Sequence, residues 1–275
     1  MATLSIAIVT YRPDIELLAR CLESLHTASE FARRKECLSG ISLVLLDNST
    51  NPQICDRLSE LLHTTTNPPW ETAQVLATPG NLGYGRAHNL AITNTHAKYH
   101  LALNPDVLLE EDAIHNALQF MEQHLSIALL TPAAVNEHGK KEYLNKRHPG
   151  FLTLMIRGFA PALLKNRLQD KISYYEMLDL NPDTVHYDIP LASGCFMFFR
   201  TSTLKKLGGF SDKFFLYFED YDLSIRTHSY GRIAYVPSVK ITHFGGGAAR
   251  KGLTHILLFT RSAIKFFNLH GWKLW

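Results

Sequence analysis

SIAIVTYRPDIELLARCLESL, residues 5–25, sets an apolar run, a polar break and an amphipathic stretch in that order. Ile6 to Val9 are consecutive apolar residues rich in β-branching, the pattern of a strand buried on both faces. Arg12 and Asp14 follow the run at once, and no basic segment precedes it, so it reads as a strand and not as a signal peptide. Beyond the break, Ile15, Leu18, Leu22 and Leu25 recur at helical spacing.

The rhythm repeats outward from there. ISLVLLD (41–47) is a second strand, followed by a Ser/Thr/Asn/Pro turn and a helix through Leu58, Leu61 and Leu62. AQVLAT (73–78) is a short third strand, and GNLGYGRAHNLAITNT (80–95) is a glycine-rich turn entering a helix. YHLALNPD (99–106) is a strand, EEDAIHNALQFMEQH (110–124) a helix and SIALLTPAAV (126–135) a fifth strand. Strand–helix alternation at this spacing predicts an α/β fold, a mostly parallel central sheet with helices on both faces. Residues 137–188 break the rhythm and read as an irregular, partly helical insertion. PLASGCFMFFR (190–200) is again a buried strand, RIAYVP (232–237) and VKITHF (239–244) two short ones, and 253–269 is helical. With no linker or repeat, 1–250 reads as one domain and 251–275 as an amphipathic helical extension.

Composition limits the partners. At 46% hydrophobic and 19% charged, the 275-residue chain can bury a large core. A net charge of +3 lacks the concentrated basic stripe of a nucleic-acid binder, so no nucleic acid is expected. Cys21, Cys37, Cys55 and Cys195 form no CxxC pair and read as reduced thiols of a cytoplasmic protein.

In open α/β sheets ligands bind beyond the carboxyl ends of the strands. Those ends carry Thr10, Tyr11 and Arg12, then Asp47 and Asn48, then Asn104 and Asp106. Asn, Asp and Pro are also ordinary turn residues, but three polar clusters converging on one edge point to a site. In GNLGYGRAHN (80–89) the glycines permit close backbone approach, and the following helix start favours phosphate. Phe218-Glu219-Asp220-Tyr221-Asp222 sets three carboxylates at a helix start, where the dipole favours acids. Capping accounts for one or two of them, but not for their position directly after the aromatic run FFLYF. His243 ends a strand before a glycine run, and a metal on Asp106 would need such an N or O ligand.

Taken in order, IVTYRP, LLDNST, GNLGYGRAHN, LNPD, SGCFMFFR, GGFSDKFFLYFEDYDL and ITHFGGG resemble the family-2 glycosyltransferases of GT-A fold. The nearest flavour is that of bacterial rhamnosyltransferases that build cell-surface polysaccharides such as O-antigen. The resemblance spans residues 3 to 247. It implies that Thr10, Tyr11, Arg12 and Asp47 hold the base and ribose of a nucleotide-diphosphate sugar, dTDP-rhamnose first and a UDP-hexose second. It places Asn81, Gly83, Arg86 and Asn104 along the nucleotide and diphosphate pocket. Asp106, the last acid of a DXD motif, and His243 would bind Mn²⁺ or Mg²⁺ on the diphosphate. Asp220 would be the catalytic base of an inverting transfer, supported with the acceptor by Glu219 and Asp222. The motif reads Asn104-Pro105-Asp106, so one anionic ligand is missing and weaker metal binding is expected. The processive-synthase motif QxxRW is absent.

The acceptor, a glycan or lipid-linked glycan, is expected against 137–188. A sugar nucleotidyltransferase would carry a basic glycine-rich loop after its first strand, where TYRPD stands instead. A non-catalytic nucleotide-sugar-binding module would lose the base, and Glu219-Asp220 is intact. The last segment combines Ile256, Leu257, Phe259, Ile264, Phe266, Phe267, Trp272 and Trp275 with Arg250, Lys251, Arg261, Lys265 and Lys273. It reads either as a helix packed on the domain or as an interfacial helix on an anionic membrane surface, at the inner face of the cell membrane.

Overall fold

The computed structural model describes residues 1–64, 69–245 and 252–275. Its first strand, β1 (Ala2–Thr10), runs parallel to β2 (Leu38–Asp47) on one side and to β4 (Tyr99–Leu103) on the other. β3 (Thr72–Ala77) adds to β2, again in parallel. The intervening helices are α1 (Ile15–Arg34), α2 (Pro52–Thr64) and α3 (Tyr84–Asn94). α1 begins where Asp14 Oδ1 accepts from Leu17 N at 3.1 Å, and Arg33 and Arg34 occupy its last turn, where the dipole favours cations.

The second half departs from a parallel sheet. β5 (Val107–Leu109), α4 (Ala113–Gln123), β6 (Ile127–Asn136) and β7 (Lys141–Glu142) lead into the insertion. There α5 (Phe151–Phe159), α6 (Ala162–Arg167), α7 (Gln169–Tyr175) and β8 (His186–Tyr187) follow. The chain ends through β9 (Phe196–Arg200), α8 (Thr201–Lys206), α9 (Glu219–Thr227), β10 (Arg232–His243) and α10 (Leu253–His270). The main strand order is β3-β2-β1-β4-β9-β6-β10-β5, and β9 enters antiparallel to both β4 and β6. The sheet is therefore mixed: its parallel character holds in the first four positions and for β6 with β10. The two strands expected at 232–237 and 239–244 are one, β10, whose register on β6 shifts between Val236 and Lys240. A bulge at Pro237 absorbs the proline without ending the strand.

Helices cover both faces, as expected. Leu18, Leu22 and Leu25 of α1 and Ile114 and Leu118 of α4 pack with Ile6, Leu43 and Leu101. On the other face Ile92 of α3, Leu204 of α8 and Leu223 of α9 meet Met197 and Phe199 of β9. A separate cluster joins Phe266 and Phe267 of α10 to Leu154, Tyr175, Phe214 and Phe218. The chain beyond α10 returns to the insertion, where Phe151 N and Leu152 N donate to the carbonyls of Lys273 and Leu274 at 2.7 and 3.0 Å. These N–H groups open α5 and have no partner within their own helix. The expected boundary at 250/251 falls outside the described residues, as do Gly246, Gly247, Arg250 and Lys251.

Candidate active site

Because β1, β2 and β3 are parallel, Thr10, Asp47 and Ala77 end in register. Thr10 is fully buried, with Oγ1 donating to the Leu46 carbonyl at 3.4 Å. Asp47 is 1% exposed, and its two oxygens accept from Ser49 N and Ser49 Oγ at 2.9 and 2.8 Å. Both residues are thus held rigidly at the carboxyl edge of the sheet. Tyr11 and Arg12 are exposed, and the Arg12 guanidinium lies 5.4 Å from the Tyr11 ring centre. Arg12 has φ 49°, a left-handed conformation that costs a non-glycine residue about 1–3 kcal/mol. The turn leaves an aromatic face and a cation exposed just beyond the end of β1.

The glycine turn is tied to these strand ends by Asn48, one of the expected polar residues there, and by Thr78, which was not among them. Asn48 Nδ2 donates to the Gly83 carbonyl at 3.0 Å, and Thr78 Oγ1 donates to Asn48 Oδ1 at 3.0 Å. Asn81, exposed, accepts from Gly83 N at 3.0 Å and so shapes the turn. Gly83 has φ 83°, and a Cβ there would collide with the Phe215 carbonyl oxygen. The turn thus packs backbone to backbone on the segment before α9, and Tyr84 N donates to that same carbonyl at 3.1 Å. Arg86, expected on the diphosphate, spends Nε and Nη2 on the Asp212 carbonyl at 3.1 and 2.6 Å. In this arrangement it holds the 211–218 segment. Asn89 does the same from the next turn, exchanging two hydrogen bonds with the Phe210 backbone at 2.8 and 2.9 Å.

That segment delivers the acidic cluster. Tyr217 and Phe218 have φ 69° and 67°, and the Phe218 ring is locked between Phe259 and Phe266 of α10. Asp220 follows, half-buried, with Oδ2 accepting from Gly194 N and Oδ1 from Tyr221 N, each at 2.9 Å. Burial pushes its carboxyl above the usual carboxylate range, and the two N–H groups pull partly back. Glu219 is buried with Oε2 unpartnered among the described residues; burial, then the charge of Asp220, raises its carboxyl further. Tyr84 reaches the same spot, its hydroxyl donating to the Gly194 carbonyl at 2.5 Å. Burial, then the charges of Glu219, Cys195, Asp220 and Asp106, raises the Tyr84 hydroxyl well above its ordinary value. Asp222 does not join them. Its oxygens are taken by Arg226 Nε at 2.8 Å and His270 Nε2 at 2.9 Å, which pins α9 to α10.

Asn104 and Asp106 leave β4 together. Asn104 is half-buried and its backbone N donates to the Cys195 carbonyl at 2.9 Å, joining the β4 and β9 ends. Asp106 Oδ1 is buried, has no hydrogen-bond partner among the described residues and lies 3.8 Å from His243 Nε2. That separation is too long for a hydrogen bond. The other ring nitrogen, Nδ1, meets Glu142 Oε2 at 2.8 Å. A carboxylate on Nδ1 fixes the ring and leaves Nε2 free as a ligand, the usual arrangement around a metal-bound histidine. A Cβ at Gly245 would stand 2.5 Å from Asp106 Oδ2 and 2.6 Å from His243 Nε2, so the glycine keeps a space between the two. Among the described residues no three His, Cys, Asp or Glu side chains form a metal cage. The pair fits a cation that takes its remaining ligands from a diphosphate and water.

A family model described as Glycosyl transferase family 2 matches residues 5–208. The chain belongs to glycosyl transferase family 2. Within that family it is 27% identical over 175 residues to the rhamnosyltransferase WbbL of Escherichia coli, covering 60% of this chain and 62% of WbbL. It thus spans less than two thirds of that relative. It is 26% identical to the N-acetylglucosaminyl-diphospho-decaprenol L-rhamnosyltransferase of Mycobacterium tuberculosis, covering 98% of this chain and 86% of the relative. Among solved structures, the mannosyltransferase PcManGT of Pyrobaculum calidifontis, in complex with GDP-Man and Mn²⁺, superposes with a TM-score of 0.62. That match is 15% identical and covers 95% of this chain and 64% of the other, a likeness of fold, here the GT-A fold.

Of the site residues of this family-2 chain, Gly194, Tyr84 and Glu142 went unread in its sequence. Gly194 and Tyr84 lie inside quoted motifs, and only the pairing of their backbone and hydroxyl marks them. Glu142 sits in the unpatterned insertion and carries no local signal.

Proposed function

We propose that this chain moves a sugar from a nucleoside-diphosphate donor to a hydroxyl of a glycan or lipid-linked glycan, with inversion at the anomeric carbon. The observation that carries this reading is that the β4 and β9 ends bring Asp220, held by Gly194 N, to the strand edge that carries Asp106, whose Oδ1 lies 3.8 Å from His243 Nε2. Asp220 takes the proton of the acceptor hydroxyl as its oxygen bonds to the anomeric carbon and the carbon–phosphate oxygen bond breaks. The nucleoside diphosphate leaves with the bonding electrons. Gly194 N and Tyr221 N fix the direction of the base, and Tyr11 and Arg12 offer a face and a charge to the nucleotide. Asp106 and His243 are the residues that would hold Mn²⁺ or Mg²⁺, which when bound stabilises charge on the leaving diphosphate.

Rhamnose from dTDP-rhamnose is the donor sugar favoured, because the WbbL and mycobacterial relatives are rhamnosyltransferases by name. A UDP-hexose is second. The name of the mycobacterial relative supports a lipid-diphosphate-linked acceptor. The outer face of α10, with the segment that follows it, suits such an acceptor. Leu257, Ile264, Trp272, Leu274 and Trp275 are exposed beside Arg261, Lys265 and Lys273, with no acid from Leu253 onward. Such a face binds anionic lipid at the level of the headgroups. No helix among the described residues is long and apolar enough to cross a membrane. The reading places the enzyme peripherally at the cytoplasmic face.

The test is a donor screen with dTDP-rhamnose, UDP-glucose and GDP-mannose, with and without a membrane extract as acceptor source. Release of nucleoside diphosphate that is lost in Asp220→Asn supports the reading. Pyrophosphate release would make the chain a nucleotidyltransferase, and nucleotide binding without release a binding module.

A further inference from the structure

A cavity of about 400 Å³, within the size range of small-molecule sites, is lined in part by Glu142, the residue that holds His243. The fold makes it by interrupting one strand edge. β8 pairs with β10 at Ala234 and Tyr235, and β5 pairs with β10 from Ile241 to His243. Between them β10 bulges, and the 176–186 stretch of the insertion covers the gap. Bulges are frequent next to active sites, where they re-aim a strand.

Glu142 forms part of the wall, and its carboxylate holds His243 Nδ1 at 2.8 Å. The cavity and the expected diphosphate end of the donor therefore share one side chain. The charges of the wall largely pair with one another: Glu176 meets Arg157 and Lys146, Asp183 meets Lys141, and Glu142 meets His243, which suits an uncharged ligand better than a diphosphate. The rest of the lining is mostly aliphatic, Val135, Leu144, Met177 and Leu180 among it, and set into it are the rings of Tyr143, Tyr235 and His186 and the amides of Asn145 and Asn181. Asn145 is buried, and its Oδ1 has no hydrogen-bond partner among the described residues. Rings that cover C–H faces, with amides and carboxylates that accept from hydroxyls, match a neutral pyranose.

We propose that this cavity binds a neutral pyranose unit of the acceptor. The identity of the ligand as acceptor rests on the transferase reading; the chemistry of the cavity does not. Recognition here would set acceptor choice separately from donor choice, on a wall built largely by the insertion.

The experiment is saturation-transfer NMR on the full chain with the methyl glycosides of rhamnose, N-acetylglucosamine and galactose at millimolar concentration. Ala133→Trp fills the cavity from β6, and Tyr143→Ala removes an exposed ring from its lining without touching the core. Nucleoside diphosphate affinity is measured by calorimetry on the same samples. The expected result is transfer to at least one glycoside, abolished by Ala133→Trp and weakened at least ~10-fold by Tyr143→Ala, with nucleotide affinity unchanged. If Ala133→Trp does not fold, Tyr143→Ala decides alone. No transfer to any of the three, or transfer undiminished in the variants, overturns the proposal. Wild-type protein that binds glycosides and no nucleoside diphosphate would instead overturn the transferase reading and leave the cavity as a saccharide site.

Discussion

At Asp220 two N–H donors hold a carboxylate whose partly buried setting raises its proton affinity. A base must be ionised to work, so activity is expected to fall as pH drops through a value above the ordinary carboxylate range of about 4. A pH–rate profile with an acid limb at or below that range would argue against Asp220. Asp220→Asn keeps size and loses proton acceptance, and transfer should drop at least ~100-fold with nucleotide affinity preserved, read by steady-state rates and calorimetry. His88 and His100 carry a stability prediction. Both are buried, and burial holds His100 down to about 3 and His88 well below its ordinary value. Below about pH 6.5 the unfolded chain binds protons that the folded chain refuses, so stability falls with falling pH, by up to about 1.4 kcal/mol per unit for each. Urea titrations between pH 7 and pH 5 should show that loss, and it should be shallower in His100→Asn.

At the scale of elements, α10 and the 211–218 segment act as one unit. Ser262 Oγ donates to the Leu216 carbonyl at 2.7 Å, Lys265 Nζ to the Lys213 carbonyl at 2.8 Å, and the Tyr217 hydroxyl meets His255 Nδ1 at 2.7 Å. These contacts over-determine the left-handed pair Tyr217 and Phe218, which in turn aims Glu219 and Asp220. The inner face of α10 therefore belongs to the core. Truncation after Gly252 is expected to destabilise the chain, and Phe267→Ala alone should cost about 3–5 kcal/mol in a denaturant melt. A truncated chain melting like the full one would refute the packing. Gly83→Ala should damage the site from the other side, since it adds strain at positive φ and forces Phe215 away. Loss of transfer beyond the loss of stability is the expected outcome.

For the whole molecule, the two readings of the C-terminal segment are compatible. One face of α10 is packed and the opposite face stays open, with apolar and basic residues interleaved. Vesicles with anionic lipid should therefore bind the full chain at low salt and release it as ionic strength rises. Leu257→Asp and Trp275→Asp should weaken cosedimentation at least ~10-fold without lowering the melting temperature. Equal binding to neutral and anionic vesicles would contradict the electrostatic part of that surface.

Runs such as Ile6 to Val9 and stripes such as Leu18, Leu22 and Leu25 declared strands and helices by themselves, because periodicity is local and burial follows from it. Asp106, Asp220 and His243 could be picked out as candidates for a related reason: the chemistry lies in the residue type and its short surroundings. The sequence could not say that β9 slots antiparallel between β4 and β6, or that β10 passes Pro237 unbroken. Nor could it say which polar partners a side chain would find. Asp222 meets His270 from 48 residues away, His243 meets Glu142 from 101, and Arg86 meets the Asp212 carbonyl from 126. Each such pairing exists only after distant segments have paid the entropy of closure and packed, so no local pattern encodes it.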